Sequence, residues 1–237
     1  MKKSIFLFSA TILFLLTFVH ALPSEAELIE DISAKEQEQL KKFAPYVKRD
    51  GNVLRLRLKS GSFVTLSDSS DCTRGETCAL YQFVDYYKDI GFYLVFIGYY
   101  EGFEYSMISD KSGEKYMVPA FPEFSPDRKR FVSVSANDSG YNENGVFVDR
   151  FEDDGIVPEL SYRPFDPPVN EYALYRFIEW KDSQTVLLDK YTRSDRKLCP
   201  KTSDMTYPVI LKLEKGEWKF HEDLSSGTVK CGPNVID

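Results

Sequence analysis

Phe124-Ser125-Pro126-Asp127-Arg128-Lys129-Arg130-Phe131-Val132-Ser133-Val134-Ser135 is the stretch that decides the fold. Proline presets its own φ in a turn, and an aspartate beside it bonds nearby backbone amides, so Ser125 to Arg128 reverses the chain. Arg130 to Ser135 follows as a strand, rich in the aromatic and β-branched side chains that suit a pleated surface. A turn that returns at once into an apolar strand is half of an antiparallel hairpin.

The same arrangement repeats on both sides. Strand-like runs stand at Tyr93 to Gly98, Glu104 to Ser109, Glu114 to Val118 and Gly145 to Arg150, separated by the turns Asp110-Lys111-Ser112-Gly113 and Asn142-Glu143-Asn144-Gly145. Nearer the N-terminus, Leu54, Leu56 and Leu58 alternate with Arg55, Arg57 and Lys59, the period of a half-buried strand, and Phe63 to Ser67 returns after the Lys59-Ser60-Gly61-Ser62 turn. Val209 to Leu213, the Lys215-Gly216 turn and Trp218 to His221 make a similar hairpin near the C-terminus. Short antiparallel strands with frequent turns predict an all-β fold, mostly an antiparallel meander. Tyr162 to Glu171 carries Pro164, Pro167 and Pro168 and reads as a long connecting loop.

Phe124 to Ser135 also resembles the F-S-P-D-G-K hairpin of WD-like and TolB-type β-propeller blades, and the Tyr105 to Val118 hairpin suits the neighbouring strands of such a blade. Ile178-Glu179-Trp180-Lys181-Asp182-Ser183-Gln184-Thr185-Val186-Leu187-Leu188 is similar to the W-x-x-D-x-x-x-L element of the same family. The first resemblance covers roughly 50 residues, and Arg128 stands where the family has glycine. At about 40 residues per blade, the chain after Asp50 holds four blades at most. The resemblance therefore implies a partial or degenerate β-propeller-like fold, or a sheet assembly built from blade-like hairpins.

Ahead of the strands, Lys2 and Lys3 precede an uncharged apolar run from Ile5 to Val19, the pattern of a secretory signal peptide over residues 1–21, cut after Ala21. An uncleaved anchor is the competing reading, but Leu22-Pro23-Ser24-Glu25 breaks the run without a stop-transfer cluster of Lys or Arg. Residues 22–50 read as a helical N-terminal arm in which Ser24 to Ala44 is the helix, in one or two pieces, with capping boxes at Ser24-x-x-Glu27 and Ser33-x-x-Glu36, a thin apolar face and Pro45 at its end. Residues 51–237 make the β-rich domain. The mature chain carries no bilayer-length apolar run and is expected in the periplasm or secreted.

The composition bounds function. Hydrophobic residues make up 43% and aromatics 15%, enough for a real core. Loss of the two leader lysines takes the formal charge from -7 to about -9, a surface that repels phosphate backbones; it points away from nucleic acid and toward a cationic protein or peptide, or an envelope component. Cys72, Cys78, Cys199 and Cys231 behind an export signal point to two disulfides. Of the three possible connectivities, spacing favours Cys72 with Cys78 and Cys199 with Cys231. Zinc is disfavoured, because there is no C-x-x-C and the histidines are only His20, in the leader, and His221, in an alternating strand. No P-loop, dinucleotide or G-x-S-x-G signature occurs, so no cofactor and no metal are expected.

The densest aromatic region runs from Tyr81 to Tyr105. Most of it is expected to fill a β core, leaving Tyr99, Tyr100, Glu101 and Tyr105 as the exposed candidate binding set, since amphipathic rings serve protein- and sugar-binding surfaces. No residue is singled out as catalytic. Asp127 is expected to cap its turn, and Glu152-Asp153-Asp154 to be a solvated turn. Asn137-Asp138-Ser139 matches a glycosylation sequon. The function expected is an exported, non-enzymatic interaction protein of inhibitor, immunity or assembly-accessory type; the alternative is a carboxylate-dependent hydrolase of cell-wall glycan or peptide, which needs two carboxylates held close together.

Overall fold

Alternating runs become strands throughout the computed structural model, which describes residues 35–69, 78–100, 102–136, 143–153, 155–193, 197–225 and 227–232. β1 (Val47–Asp50), β2 (Val53–Arg57) and β3 (Phe63–Ser67) form one antiparallel sheet. β4 (Leu80–Tyr87), β5 (Phe92–Gly98), β6 (Phe103–Ser109) and β7 (Lys115–Val118) form a second. β8 (Glu123–Phe124), β9 (Arg130–Ser135), β10 (Gly145–Glu152) and β11 (Gly155–Tyr162) form a third. β12 (Ala173–Asp182), β13 (Thr185–Arg193), β14 (Asp204–Glu214) and β15 (Glu217–Glu222) form the fourth, with β16 (Lys230–Cys231) on β14. Apart from β16, every strand pairs only with its neighbours in the chain, so each sheet is a meander.

The four sheets stack in chain order, and strand composition follows from that order. On β5, Tyr93, Val95 and Ile97 pack against Leu54, Leu56 and Leu66 of the first sheet. The alternate residues Phe92 and Leu94 turn the other way, toward Phe131 of the third. On β9, Phe131 faces the second sheet, whereas Val132 joins Val186, Leu188 and Leu211 of the fourth. Strands covered on both faces therefore read as near-continuous apolar runs, as in Phe92–Gly98. The first sheet is covered on one face only, and its β2 alternates buried Leu54 and Leu56 with exposed Arg55 and Arg57. This is an all-β fold, propeller-like and partial, with one short helix among the described residues.

The turns expected at Lys59 to Ser62, Asp110 to Gly113 and Ser125 to Arg128 form, whereas Asn142, which opens the turn expected at Asn142 to Gly145, lies outside the described residues. Asp127 Oδ1 accepts hydrogen bonds from Ser125 Oγ (2.8 Å) and from the Lys129 N-H (3.1 Å), so it caps its turn. Arg128 sits at φ 59°, the left-handed conformation that glycine would adopt freely. Trp180 and Asp182 lie at the end of β12, where Trp180 Nε1 donates to the Glu123 carbonyl at 2.9 Å and ties the fourth sheet to the third.

The helical arm differs from expectation. A helix spans residues 35–42, and β1 follows within the N-terminal arm, past the Pro45 expected to end the helix. Nor is the helix a surface arm: Glu36 and Phe43 are buried, and Phe43 packs edge-on against Phe83 and Tyr86. The anchor is a charge rather than an apolar face. Glu36 Oε1 accepts from Arg49 Nε (3.1 Å), Arg49 Nη2 (2.9 Å) and the Phe83 N-H (2.8 Å), and Arg49 Nη1 reaches Asp68 at 3.0 Å. Ser24 to Ala34, with the first capping box, lies outside the described residues.

At the other end, Lys190 on β13 is buried between Glu171 (2.6 Å), which follows the proline loop, and Glu222 (2.7 Å) on β15. Burial works against its ammonium, yet the hydrogen bonds to these two carboxylates overcome it and hold the lysine above its ordinary pKa. Cys199 and Cys231 are joined as a disulfide, with Cα atoms 5.5 Å apart, which fastens the chain between β13 and β14 to β16. Cys78 is buried and oxidised; Cys72, its expected partner, lies outside the described residues. No described helix is long and apolar enough to cross a membrane.

Candidate functional site

The second and third sheets splay apart around a groove of about 400 Å³. Its second-sheet wall presents Tyr99, Phe103, Glu104 and Met117; its third-sheet wall presents Phe147, Asp149 and Pro158, with Glu143 and Arg163 nearby. Period two puts Phe147 and Asp149 on the same face of β10. A register shift between Val148 and Asp149 then sets Asp149 opposite Pro158, which has no N-H to offer; the proline is tolerated because β11 is an edge strand.

Asp149 is the electrostatically unusual group. Burial, helped by the negative charge of Glu159, pushes its carboxyl up to about 7. Glu159 stays charged: burial opposes its ionisation, but Arg130 (2.7 Å), Trp218 (3.0 Å) and Arg150 (2.7 Å) hydrogen-bond it and hold it below the usual carboxylate range. Across the groove, the Tyr99 hydroxyl donates to Glu104, and burial together with that acceptor raises the phenol above its ordinary pKa. Arg163 pairs with Glu143 at 2.9 Å and lies 5.1 Å from the centre of the Phe147 ring. A cation therefore already rests on an aromatic face and a carboxylate here, the combination that recognises basic side chains.

No family model matches this chain, and no curated protein does. Among solved structures, it is similar to a Bacteroides uniformis protein provisionally named a 6-phosphogluconolactonase, at 11% identity and a TM-score of 0.32. The match covers 75% of this chain and 55% of that one, so the chain spans little more than half its length.

The structure divides the four residues expected to form one exposed set. Tyr99, 41% exposed, lines the groove, whereas Tyr100, 65% exposed, follows it at the β5–β6 turn and is absent from the groove lining. Glu101 lies outside the described residues. Tyr105 is half-buried rather than exposed, because it makes edge-on ring contacts with Phe96 (5.5 Å) and Phe121 (5.7 Å) and lines a separate cavity. Asp149 and Phe147 escaped the sequence reading. Their signal was an acid two positions after a buried phenylalanine on the same strand face.

His221 lies on β15, half-exposed, with Nε2 3.2 Å from Glu214. Among the described residues no group of three or more His, Cys, Asp or Glu side chains is placed to hold a metal ion. The Asn137-Asp138-Ser139 sequon and Asp154 lie outside the described residues.

Proposed function

We propose that this chain is an exported, non-enzymatic binding protein of the cell envelope, and that the groove between its second and third sheets holds a cationic segment of a partner protein. The observation that carries the reading is the lining: Glu104, Glu143 and Asp149 converge with Tyr99, Phe103 and Phe147 in a chain of formal charge -7. The apolar leader pattern and the Cys199–Cys231 disulfide support export, since such bonds persist in oxidising compartments.

Titration of the purified chain with a lysine- and arginine-rich peptide tests this. Binding is expected to weaken several-fold in E104Q and in D149N, and to weaken with salt. It should also tighten between pH 6 and 8, because a cation binds the ionised form of a carboxyl that titrates at about 7. Binding indifferent to both substitutions would overturn the proposal.

The raised Asp149 pKa favours a second reading, a hydrolase in which this carboxyl is the general acid and Glu104 the second carboxylate. The two readings differ in sign. General-acid activity on cell-wall glycan or peptide falls above pH 7 and is lost in D149N, whereas cation binding rises there. Both share a stability signature. Folding raises this pKa from 3.8 to about 7, so the folded chain keeps a proton that the unfolded chain has released. The stabilising contribution is complete below about 4 and is lost as pH rises through about 7. Urea unfolding should show that decline in the wild type and a flatter profile in D149N.

A further inference from the structure

The groove does not stop at its acidic residues. A further space of about 390 Å³ shares Met117, Asp149 and Pro158 with it and continues between β7 and β11, past Tyr116 and Ile156. Both strands are sheet edges: among the described residues β7 pairs only with β6, and β11 only with β10. At the Gly155 end the two strands meet, because the Tyr116 hydroxyl takes the place that a side chain on residue 155 would need. An open cleft between two strand edges has the form of a bed for an extended chain.

The two edges differ in what they offer such a chain. The Ser109 N-H of β6 donates to the Glu114 carbonyl at 3.0 Å, and in an antiparallel ladder hydrogen-bonded and non-hydrogen-bonded pairs alternate. The pairs that follow are Ile108 with Lys115, Met107 with Tyr116 and Ser106 with Met117. Lys115 and Met117 therefore stand at non-hydrogen-bonded positions, and their N-H and C=O groups point away from β6, out of the sheet edge. Lys115 is exposed and Met117 is 48% exposed, so this edge is within reach of a partner. On β11, by contrast, Pro158 takes a donor out of the edge. Charge sets the direction along the cleft. Glu104 and Glu143 line the groove, whereas Lys115 lines only the continuation, so basic side chains are favoured at the first and apolar ones beside Ile156.

We propose that the cationic segment of the partner protein binds as an added strand, its backbone hydrogen-bonded to Lys115 and Met117 along the free edge of β7 and its basic side chains directed at Glu104, Glu143 and Asp149. This deepens the function proposed above and rests on it.

The probe is a blocked peptide of alternating valine and lysine, with two isomers N-methylated either on every valine or on every lysine. Successive N-H groups of a strand point to opposite sides, so one isomer is expected to lose about tenfold or more in affinity for the full chain while the other stays close to the parent. In NMR, hydrogen exchange at the Lys115 and Met117 amides should slow on binding the parent, and that of Tyr116, whose N-H faces β6, should not change. Met117→Pro removes an edge donor without touching the β6 ladder and should weaken the parent several-fold more than Met117→Ala, with the folding of each checked by its urea midpoint. If the parent peptide does not bind, the cationic groove fails and strand addition fails with it. If the parent binds but the two isomers weaken alike, or neither weakens, or the Lys115 and Met117 amides exchange as before, cation binding stands and strand addition is overturned, whether or not Met117→Pro folds.

Discussion

Arg49 at one end of the sheet stack and Lys190 at the other are each held between two carboxylates, but the two clusters are built for different work. Arg49 uses Nε, Nη1 and Nη2 at once, and its partners Glu36 and Asp68 also accept the backbone N-H groups of Phe83 and Tyr81. The charges there are part of the scaffold: they dock the helix and, through the Phe83 N-H, brace β4 beside the register shift that leaves Val84 an inserted residue. Lys190 is a point charge set 5.8 Å from the ring centres of both Tyr175 and Tyr207, and its partners Glu171 and Glu222 keep 38% and 34% of their side-chain surface exposed. Water is available to replace one partner of the lysine and not of the arginine. Cluster composition alone, one cation between two anions, hides that difference.

The comparison sets the order of the expected losses. Glu36→Ala removes one of the two carboxylates that hold a buried guanidinium and leaves the Phe83 N-H without that acceptor, so a loss of about 3–5 kcal/mol is expected, the range for breaking a buried pair. Glu36→Gln keeps one acceptor oxygen and should cost about 1–3 kcal/mol. Lys190→Met fills the space with an apolar stem while Glu171 and Glu222 turn to solvent, at about 1–3 kcal/mol. Urea unfolding at pH 7 measures all three. A Lys190→Met loss as large as that of Glu36→Ala would show that partner exposure does not separate the clusters.

What the sequence discloses follows the same division between regular pattern and irregular contact. Phe63–Ser67 and Arg130–Ser135 have the bounds read from alternation and turn chemistry. The run of apolar residues in β5 likewise follows from burial on both faces. β11 was not read as a strand, because Pro158 demotes it, and the proline is harmless only since nothing pairs with that edge. β1 was missed because it follows directly on the expected helix end at Pro45 and three of its four residues, Lys48 to Asp50, are charged, so no apolar alternation marks it. The bulge at Val84 shifts the strand face by one residue, which period two cannot register, so a cavity formed there is invisible before the fold is known. Of the site, Tyr99 was legible as an exposed ring. Asp149 was not, since its pKa depends on burial in the fold and, after that, on Glu159, ten residues away on the neighbouring strand.

The smallest expected effect lies where the second and third sheets meet, in the turn that carries Arg128. Its left-handed backbone, at φ 59°, costs about 1 kcal/mol relative to glycine. Against that, its guanidinium pairs with Asp89 at 2.9 Å and stacks 4.3 Å from the centre of the Phe124 ring, contributions of about 0–1 and 0.5–1 kcal/mol at an exposed site. Arg128→Gly removes the strain and the contacts together and should leave stability within about 0.5 kcal/mol of the wild type. Arg128→Ala keeps the strain and loses the contacts, so it should cost about 1 kcal/mol more than Arg128→Gly in urea unfolding. If the two variants are equally stable, the left-handed backbone carries no measurable strain at this position, and the loss they share relative to the wild type measures the contacts with Asp89 and Phe124.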